Sequence, residues 1–267
     1  MGDKYWDVTL RVLLGERAGT LWRRHSDAVN RALVASWLPH GRIERILKTD
    51  VFDEAAGDGL ISLLAAHARR VTGIDLSILA LRRARSRHSG LTALGADVCR
   101  LPFPDGTFDA VVSNSTLDHF ETGDEIVTAL EELGRVLRTG GTLIITLDNP
   151  LNPVIALRNA LPFRLLYRLH ILPYYMGATM GHNSLSLELE KAGFRATEKR
   201  AVMHCPRLPA VALAGMLERL AAPGIQKRFL EALMAFEHLS HWPTRFLTGC
   251  FVAVRATKVT GNSHPQG

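Results

Sequence analysis

Between Val51 and Leu64 the chain changes character abruptly. An apolar pair, Val51-Phe52, runs into Asp53-Glu54-Ala55-Ala56-Gly57-Asp58-Gly59, and a helical pattern of Leu60, Ile61, Leu63 and Leu64 follows at once. A strand, a tight turn and a helix in that order let a backbone approach a bound cofactor. The spacing separates cofactor classes. A dinucleotide turn wants glycine at its first, third and sixth positions, which here hold Ala55, Gly57 and Leu60. The missing sixth glycine opposes a nicotinamide oxidoreductase, and the pattern reads Asp-x-Ala-x-Gly-x-Gly.

From Ile46 onward apolar runs alternate with helical patterns. The reading is a strand near 46–53, helix 59–68, strand 71–75, helix 78–88, strand 92–96, strand 108–113, helix 124–138 and strand 142–147. Such alternation predicts an α/β fold, a Rossmann-like doubly wound and mostly parallel sheet with right-handed crossovers. The remaining strands of seven fall at about 195–203 and 251–256. Before them come an apolar and basic helix at 152–170, which Pro162 can kink, a Gly-rich loop at 174–183 and a helix ending at Gly193. About 40 residues lie between Cys205 and Thr248, too many for a bare loop. Val211, Leu213, Met216, Leu217 and Leu220, then Ile225, Phe229, Leu230, Leu233, Met234 and Phe236, predict two amphipathic helices, read as a lid with an apolar inner face.

Residues 1–45 read as a helical cap: Trp6, Leu10, Leu13 and Leu14, then Leu21, Trp22, Ala28, Val29, Ala32, Leu33 and Trp37. Gly15 and Gly19 bracket a break, and Ser26 and Asp27 are candidate caps of the second helix. The domains are thus a cap at 1–45, an α/β domain at 46–257 with its insertion at 206–246, and a disordered tail at 258–267.

The turn and four further segments, in order, resemble the class I methyltransferases that use S-adenosylmethionine (SAM), in the manner of the type 11 methyltransferase domain. They are Val71-Thr72-Gly73-Ile74-Asp75, Gly95-Ala96-Asp97-Val98 with Leu101 to Asp109, Val111 to Phe120, and Leu137 to Ile145. The resemblance implies SAM as cofactor and S-adenosylhomocysteine (SAH) as product. It implies cofactor contacts from Asp53, Ala55, Gly57, Gly59, Asp75, Leu76, Asp97, Val98 and Asn114. Asp75, 22 residues after Asp53, would accept both ribose hydroxyls. Asp97 would take the adenine amino group, the Val98 amide a ring nitrogen, and Asp53 with the Asn114 carbonyl the methionine amino group. Ala55 stands where the family has glycine, and Glu54 where an apolar residue is common.

None of these residues marks a base. A hydroxyl acceptor gains from one, and an imidazole is mostly neutral near pH 7. His119, just past the fourth strand, is the first candidate and His182 the second. Trp22, His25 and Tyr175 are candidate substrate contacts, set against a reading in which Trp22 is core and its neighbours are surface. The fourth strand ends in Ser113-Asn114-Ser115-Thr116, without the Asn/Asp-Pro-Pro-aromatic run by which related enzymes grip a planar amino group. That argues against nucleobase N-methylation, the apolar lid favours a small hydrophobic or lipid-like acceptor, and O-methylation is the preferred reading.

The whole chain bounds the alternatives. It has 267 residues, 47% hydrophobic and 22% charged, as expected of one globular core. No apolar run approaches the roughly 20 residues of a membrane span, and no secretory pattern opens the sequence, so a cytoplasmic protein is expected. Cys99, Cys205 and Cys250 are widely spaced, suggesting neither disulfides nor zinc. His238 and His241 share a helix face but nothing nearby completes a metal site. A net charge of +6 is dispersed through Arg69-Arg70, Arg82-Arg83, Arg85 and Arg87, which weakens a nucleic-acid reading and leaves peripheral membrane contact open. Two other readings stay open: a SAM-binding protein without methyl transfer, and an RNA methyltransferase.

Overall fold

Strands separated by single helices pair in parallel, because each helix must cross a face of the sheet before the chain returns. The computed structural model, in which residues 3–15, 20–169, 172 and 174–259 are described, follows that rule. Its strands are β1 (Ile43–Lys48), β2 (Ala68–Asp75), β3 (Leu91–Gly95), β4 (Phe108–Asn114), β5 (Leu137–Asp148), β6 (Phe194–Val202) and β7 (Phe251–Lys258). They form one sheet in the order β3-β2-β1-β4-β5-β7-β6, parallel except for β7, which runs antiparallel to both its neighbours.

Alternate residues of the central strands feed two cores, one on each face of the sheet. Ile46, Val112 and Ile144 pack on one side with Val29, Leu33 and Trp37 of α2 (Thr20–Trp37). Leu47, Val111, Leu143 and Ile145 pack on the other with Ile126, Leu130 and Leu133 of α6 (Gly123–Val136). Helix α6 begins with a capping box in which Thr122 and Glu125 satisfy each other's backbone N–H groups. The other helices are α1 (Asp3–Gly15), α3 (Phe52–Ala56), α4 (Ile61–His67), α5 (Ile78–Arg87), α7 (Pro153–Ala160), α8 (Phe163–Arg168), α9 (His182–Lys191), α10 (Arg207–Leu220), α11 (Pro223–Ala235) and α12 (Arg245–Thr248).

Several local expectations are corrected. Strand β1 stops at Lys48, and Val51 to Asp53 do not extend it; Phe52 and Asp53 open α3. Pro162 splits the expected 152–170 helix into α7 and α8, lying between them with no N–H to continue the ladder. Ser26 and Asp27 do not cap α2, which already starts at Thr20. Between β6 and β7 the expected helices α10 and α11 are present and pack on α2. They do so through Ala210, Ala214 and Leu233, while Val211, Leu213, Met216, Leu220 and Ile225, expected on an inner face, are exposed. Gly19 and most of the expected tail, 260–267, lie outside the described residues.

Candidate active site

The first half of the site is set by one charge. Lys48 ends β1 with no exposed surface, and a buried ammonium is tolerated only beside an acid. Its Nζ lies 2.9 Å from Glu54 Oε2 and 3.3 Å from Asp50 Oδ1, and donates to the Asp50 carbonyl at 2.9 Å. Burial alone would push the lysine pKa down; the carboxylates of Asp50, Glu54 and Asp53 more than offset this, and it is raised. Glu54, equally buried, accepts the Leu60 N–H at 2.8 Å through Oε1. The short helix α3 exists to place that carboxylate over the strand end. Gly59, at φ +50°, passes so close to Glu54 that a Cβ there would collide with Oε1.

This turn changes which acid reaches the sheet edge. Lys48 pairs with Gly73, so continuing the register by two residues puts Asp50, rather than Asp53, level with Asp75. Asp50 Oδ2 accepts from Thr116 Oγ1 at 3.1 Å, and Thr116 in turn lies 2.8 Å from Thr49 Oγ1, tying the ends of β1 and β4 together. Asp75 accepts the Val51 N–H at 3.1 Å on one oxygen and the Ser77 N–H at 2.8 Å on the other. Burial pushes its carboxyl up to about 6.

A cavity of about 240 Å³ runs along this carboxyl edge from β3 to β7. At one end its wall is acidic: Asp97 and Val98 after β3, Asp75 ending β2 with Leu76 after it, Asp50 and Asp53 after β1. Asn114 and Ser115 follow at the end of β4. Ser115 is held at φ +51°, a conformation costly for a residue with a Cβ. Its hydroxyl donates to Asp118 at 2.7 Å and its N–H to the Thr146 carbonyl at 3.1 Å, which fixes the bend.

Beyond β4 the wall becomes aromatic and cationic, with Trp6, His119, Phe120, Tyr174, Phe251 and Arg207. His119 lies edge-on to Trp6 at 4.8 Å and to Tyr174 at 5.6 Å between ring centroids. Its Nδ1 is 3.1 Å from the Tyr175 carbonyl, which can only accept, so Nδ1 is the donor in that contact. Nε2 lies 3.7 Å from Asp118 Oδ1, a buried oxygen with no hydrogen-bond partner.

Of the residues singled out in the sequence, Asp53, Asp75, Leu76, Asp97, Val98, Asn114 and His119 line this cavity together. Ala55 does not: it sits inside α3 with its side chain in the core, where helical backbone makes glycine unnecessary. Gly57 lies against the Arg23 side chain. His25 is fully buried, its Nε2 3.3 Å from Cys205 Sγ, and Trp22 leans on it at 5.4 Å. Burial pushes the His25 imidazole down to about 4. Tyr175 gives its carbonyl to His119, while its ring faces a separate groove with Phe163 and Arg158. His182 stacks on Phe246 at 3.8 Å, away from the cavity.

The geometry also brings in residues the sequence reading passed over. Asp50 was hidden because Val51-Phe52 prolong the apolar run past the true strand end; the signal was Lys48, a charge in a buried strand that requires a nearby acid. Tyr174 and Arg207 carried no comparable signal.

Comparison with known proteins agrees with this architecture. Residues 52–145 match the family model described as a methyltransferase domain. The demethylmenaquinone methyltransferase of Thermus thermophilus is 34% identical over 183 residues, covering 65% of this chain and 73% of that protein. The chain belongs to the class I SAM-dependent methyltransferases. An uncharacterized methyltransferase of Mycobacterium tuberculosis is 39% identical over 115 residues, 42% of this chain and 54% of its own length. The chain thus spans about half the length of the mycobacterial relatives it matches. The methyltransferase fold extends beyond these segments. A putative methyltransferase, solved in complex with the Trm112 activator of Haloferax volcanii, has a TM-score of 0.64 at 17% identity, covering 99% of this chain and all of that one. Among the described residues of this methyltransferase no helix is long and apolar enough to cross a membrane.

Proposed function

We propose that this chain transfers a methyl group from SAM to an oxygen of a small hydrophobic acceptor. The observation that supports this most is the single cavity, acid-lined over β1 to β3 and aromatic beyond β4. The residues present suit the cofactor. A carboxylate offers about four lone-pair positions, and each Asp75 oxygen accepts one backbone N–H, which leaves capacity for two ribose hydroxyls. Asp97 and the Val98 amide are the partners this reading gives to adenine. Asp53 and the Asn114 carbonyl are the expected partners of the methionine amino group, and Asp50 joins them at the edge of β1.

Bound SAM supplies a methyl carbon on a positively charged sulfur, open to in-line attack. What the protein adds is chiefly position, in a site partly shielded from water. His119 is the base in this reading: Nε2 takes the acceptor proton, and Asp118 steadies the resulting imidazolium. Such a base contributes roughly 100- to 10,000-fold. His182, stacked outside the cavity, drops behind it. The name of the Thermus relative, a demethylmenaquinone methyltransferase, lends weight to an apolar small-molecule acceptor. We place the activity in the cytoplasm.

The test is incubation of the protein with SAM and pools of hydrophobic hydroxyl compounds, reading SAH and a product heavier by one methylene by mass spectrometry. Product that disappears in Asp75→Ala supports the reading. SAM left intact with every pool would favour a cofactor-binding protein without transfer, and methylation confined to added RNA would favour the nucleic-acid alternative.

A further inference from the structure

The cavity wall holds four aspartates, Asp50, Asp53, Asp75 and Asp97, all at the β1 to β3 end. Among the described residues only one lysine or arginine side chain shares that wall, and it is at the opposite end: Arg207, the first residue of α10. Its guanidinium stands 5.7 Å over the Phe251 ring and faces the Tyr174 hydroxyl. The nearby acid acts on it without forming a close ion pair. Asp148, buried at the end of β5, is paired with Arg158 at 2.7 Å, and no carboxylate of the described residues lies within 4.0 Å of Arg207. Asp53 and Asp118 act on Tyr174, and Cys250 acts on Arg207, at this corner. A half-buried guanidinium with five donors, no ion-pair partner and an aromatic floor is suited to an oxygen anion.

Resting on the proposed methyl transfer, we infer that Arg207 and the Tyr174 hydroxyl form an oxyanion subsite, so that the acceptor is an apolar molecule carrying a phenolate, enolate or carboxylate oxygen. Arg207 and Tyr174 come from segments other than those that carry the cofactor's acids, although Asp53 still acts on Tyr174. Burial raises the pKa of Tyr174, which keeps it a neutral phenol able to donate. In the transfer, a lone pair of the anionic oxygen forms the new C–O bond while the C–S bond breaks and its electrons remain on sulfur. A phenol or enol first gives its proton to His119 Nε2; a carboxylate has none to give.

The test uses protein saturated with SAH and three probes of similar bulk: 1-naphthoate, 4-nitro-1-naphthol in its ionised form, and neutral 1-naphthalenemethanol. Binding is measured calorimetrically at about physiological ionic strength, where unspecific attraction to a basic protein is screened. At least one anion should bind about tenfold or more tightly than the alcohol, and which one distinguishes carboxylate from phenolate. Arg207→Gln should erase that preference and keep SAH affinity. Tyr174→Phe should reduce it several-fold and leave the alcohol unaffected, and this variant decides the matter if Arg207→Gln does not fold. Equal binding of all three probes, no binding of any, a preference that survives in Arg207→Gln, or one left undiminished in Tyr174→Phe would overturn the subsite. So would a loss of SAH affinity in folded Arg207→Gln, which would assign the arginine to the cofactor. If the unaltered protein fails to bind SAH, it is the methyltransfer reading that falls.

Discussion

The β1 end of the cavity and its β5 to β7 end are built by opposite means. Over β1, Lys48, Asp50, Glu54, Gly59 and Leu60 lock one another within a single short stretch, around a fully buried ion pair. At the far end His119, Tyr174, Arg207 and Phe251 arrive from four separate segments and meet mostly through ring faces and backbone carbonyls. The first arrangement is a fixed frame in which two carboxylates hold one buried lysine. The second lines the cavity with an imidazole and a guanidinium. Binding one cofactor suits a rigid frame, whereas choosing an acceptor suits side chains that can be exchanged without disturbing it.

If the frame depends on the ion pair, removing one partner should be severe. Glu54→Gln leaves the buried Lys48 with Asp50 as its remaining close acid, and up to about 3 kcal/mol of stability should be lost in denaturant unfolding. Replacing both residues, Lys48→Met with Glu54→Leu, should recover much of that loss. A single variant as stable as the parent would break the comparison. At the acceptor end, His119→Gln should lower turnover by about 100-fold or more while leaving SAM affinity and melting temperature near those of the parent. A loss of stability instead would make His119 part of the packing with Trp6 and Tyr174.

A smaller effect tests the wall behind the acceptor end, where His25 meets Cys205 two residues before Arg207. The His25 pKa falls from its ordinary 6.5 to about 4 on folding, so the neutral form favours the folded state above pH 6.5 and that advantage shrinks as acid protonates the unfolded chain. Between about pH 7 and pH 5 the parent should lose about 2 kcal/mol relative to His25→Gln. The comparison between variants matters here, because Asp27, pushed up to about 7 mainly by burial and the neighbouring Asp53, moves stability in the opposite direction over the same range. Parallel pH profiles would mean His25 is not buried in the neutral form.

The same contrast explains how much could be read from the sequence. The order of strands and helices was legible because it lies in local periodicity, and Asp75, Asp97, Val98 and Asn114 were legible because parallel strands deliver their ends to one edge. The end of β1 was not: Val51 and Phe52 look like strand, and only the pairing of Lys48 with Gly73 shows that the sheet has already ended. Glu54 was puzzling for the same reason, since its partner is six residues back and buried. The acceptor end was nearly illegible. An arginine opening an apolar helix reads as surface, and nothing in the sequence says that α10 turns it toward Tyr174. His25 and Leu21, four apart on α2, share an inward face that neighbouring arginines obscure.

The most direct measurement is calorimetric titration with SAM and SAH of the parent and of Asp75→Ala. The account predicts saturable binding of both ligands by the parent, and an affinity lower by tenfold or more in a folded Asp75→Ala, since two charge-assisted hydrogen bonds are lost. Undiminished affinity in that variant, or no binding by the parent, would contradict it.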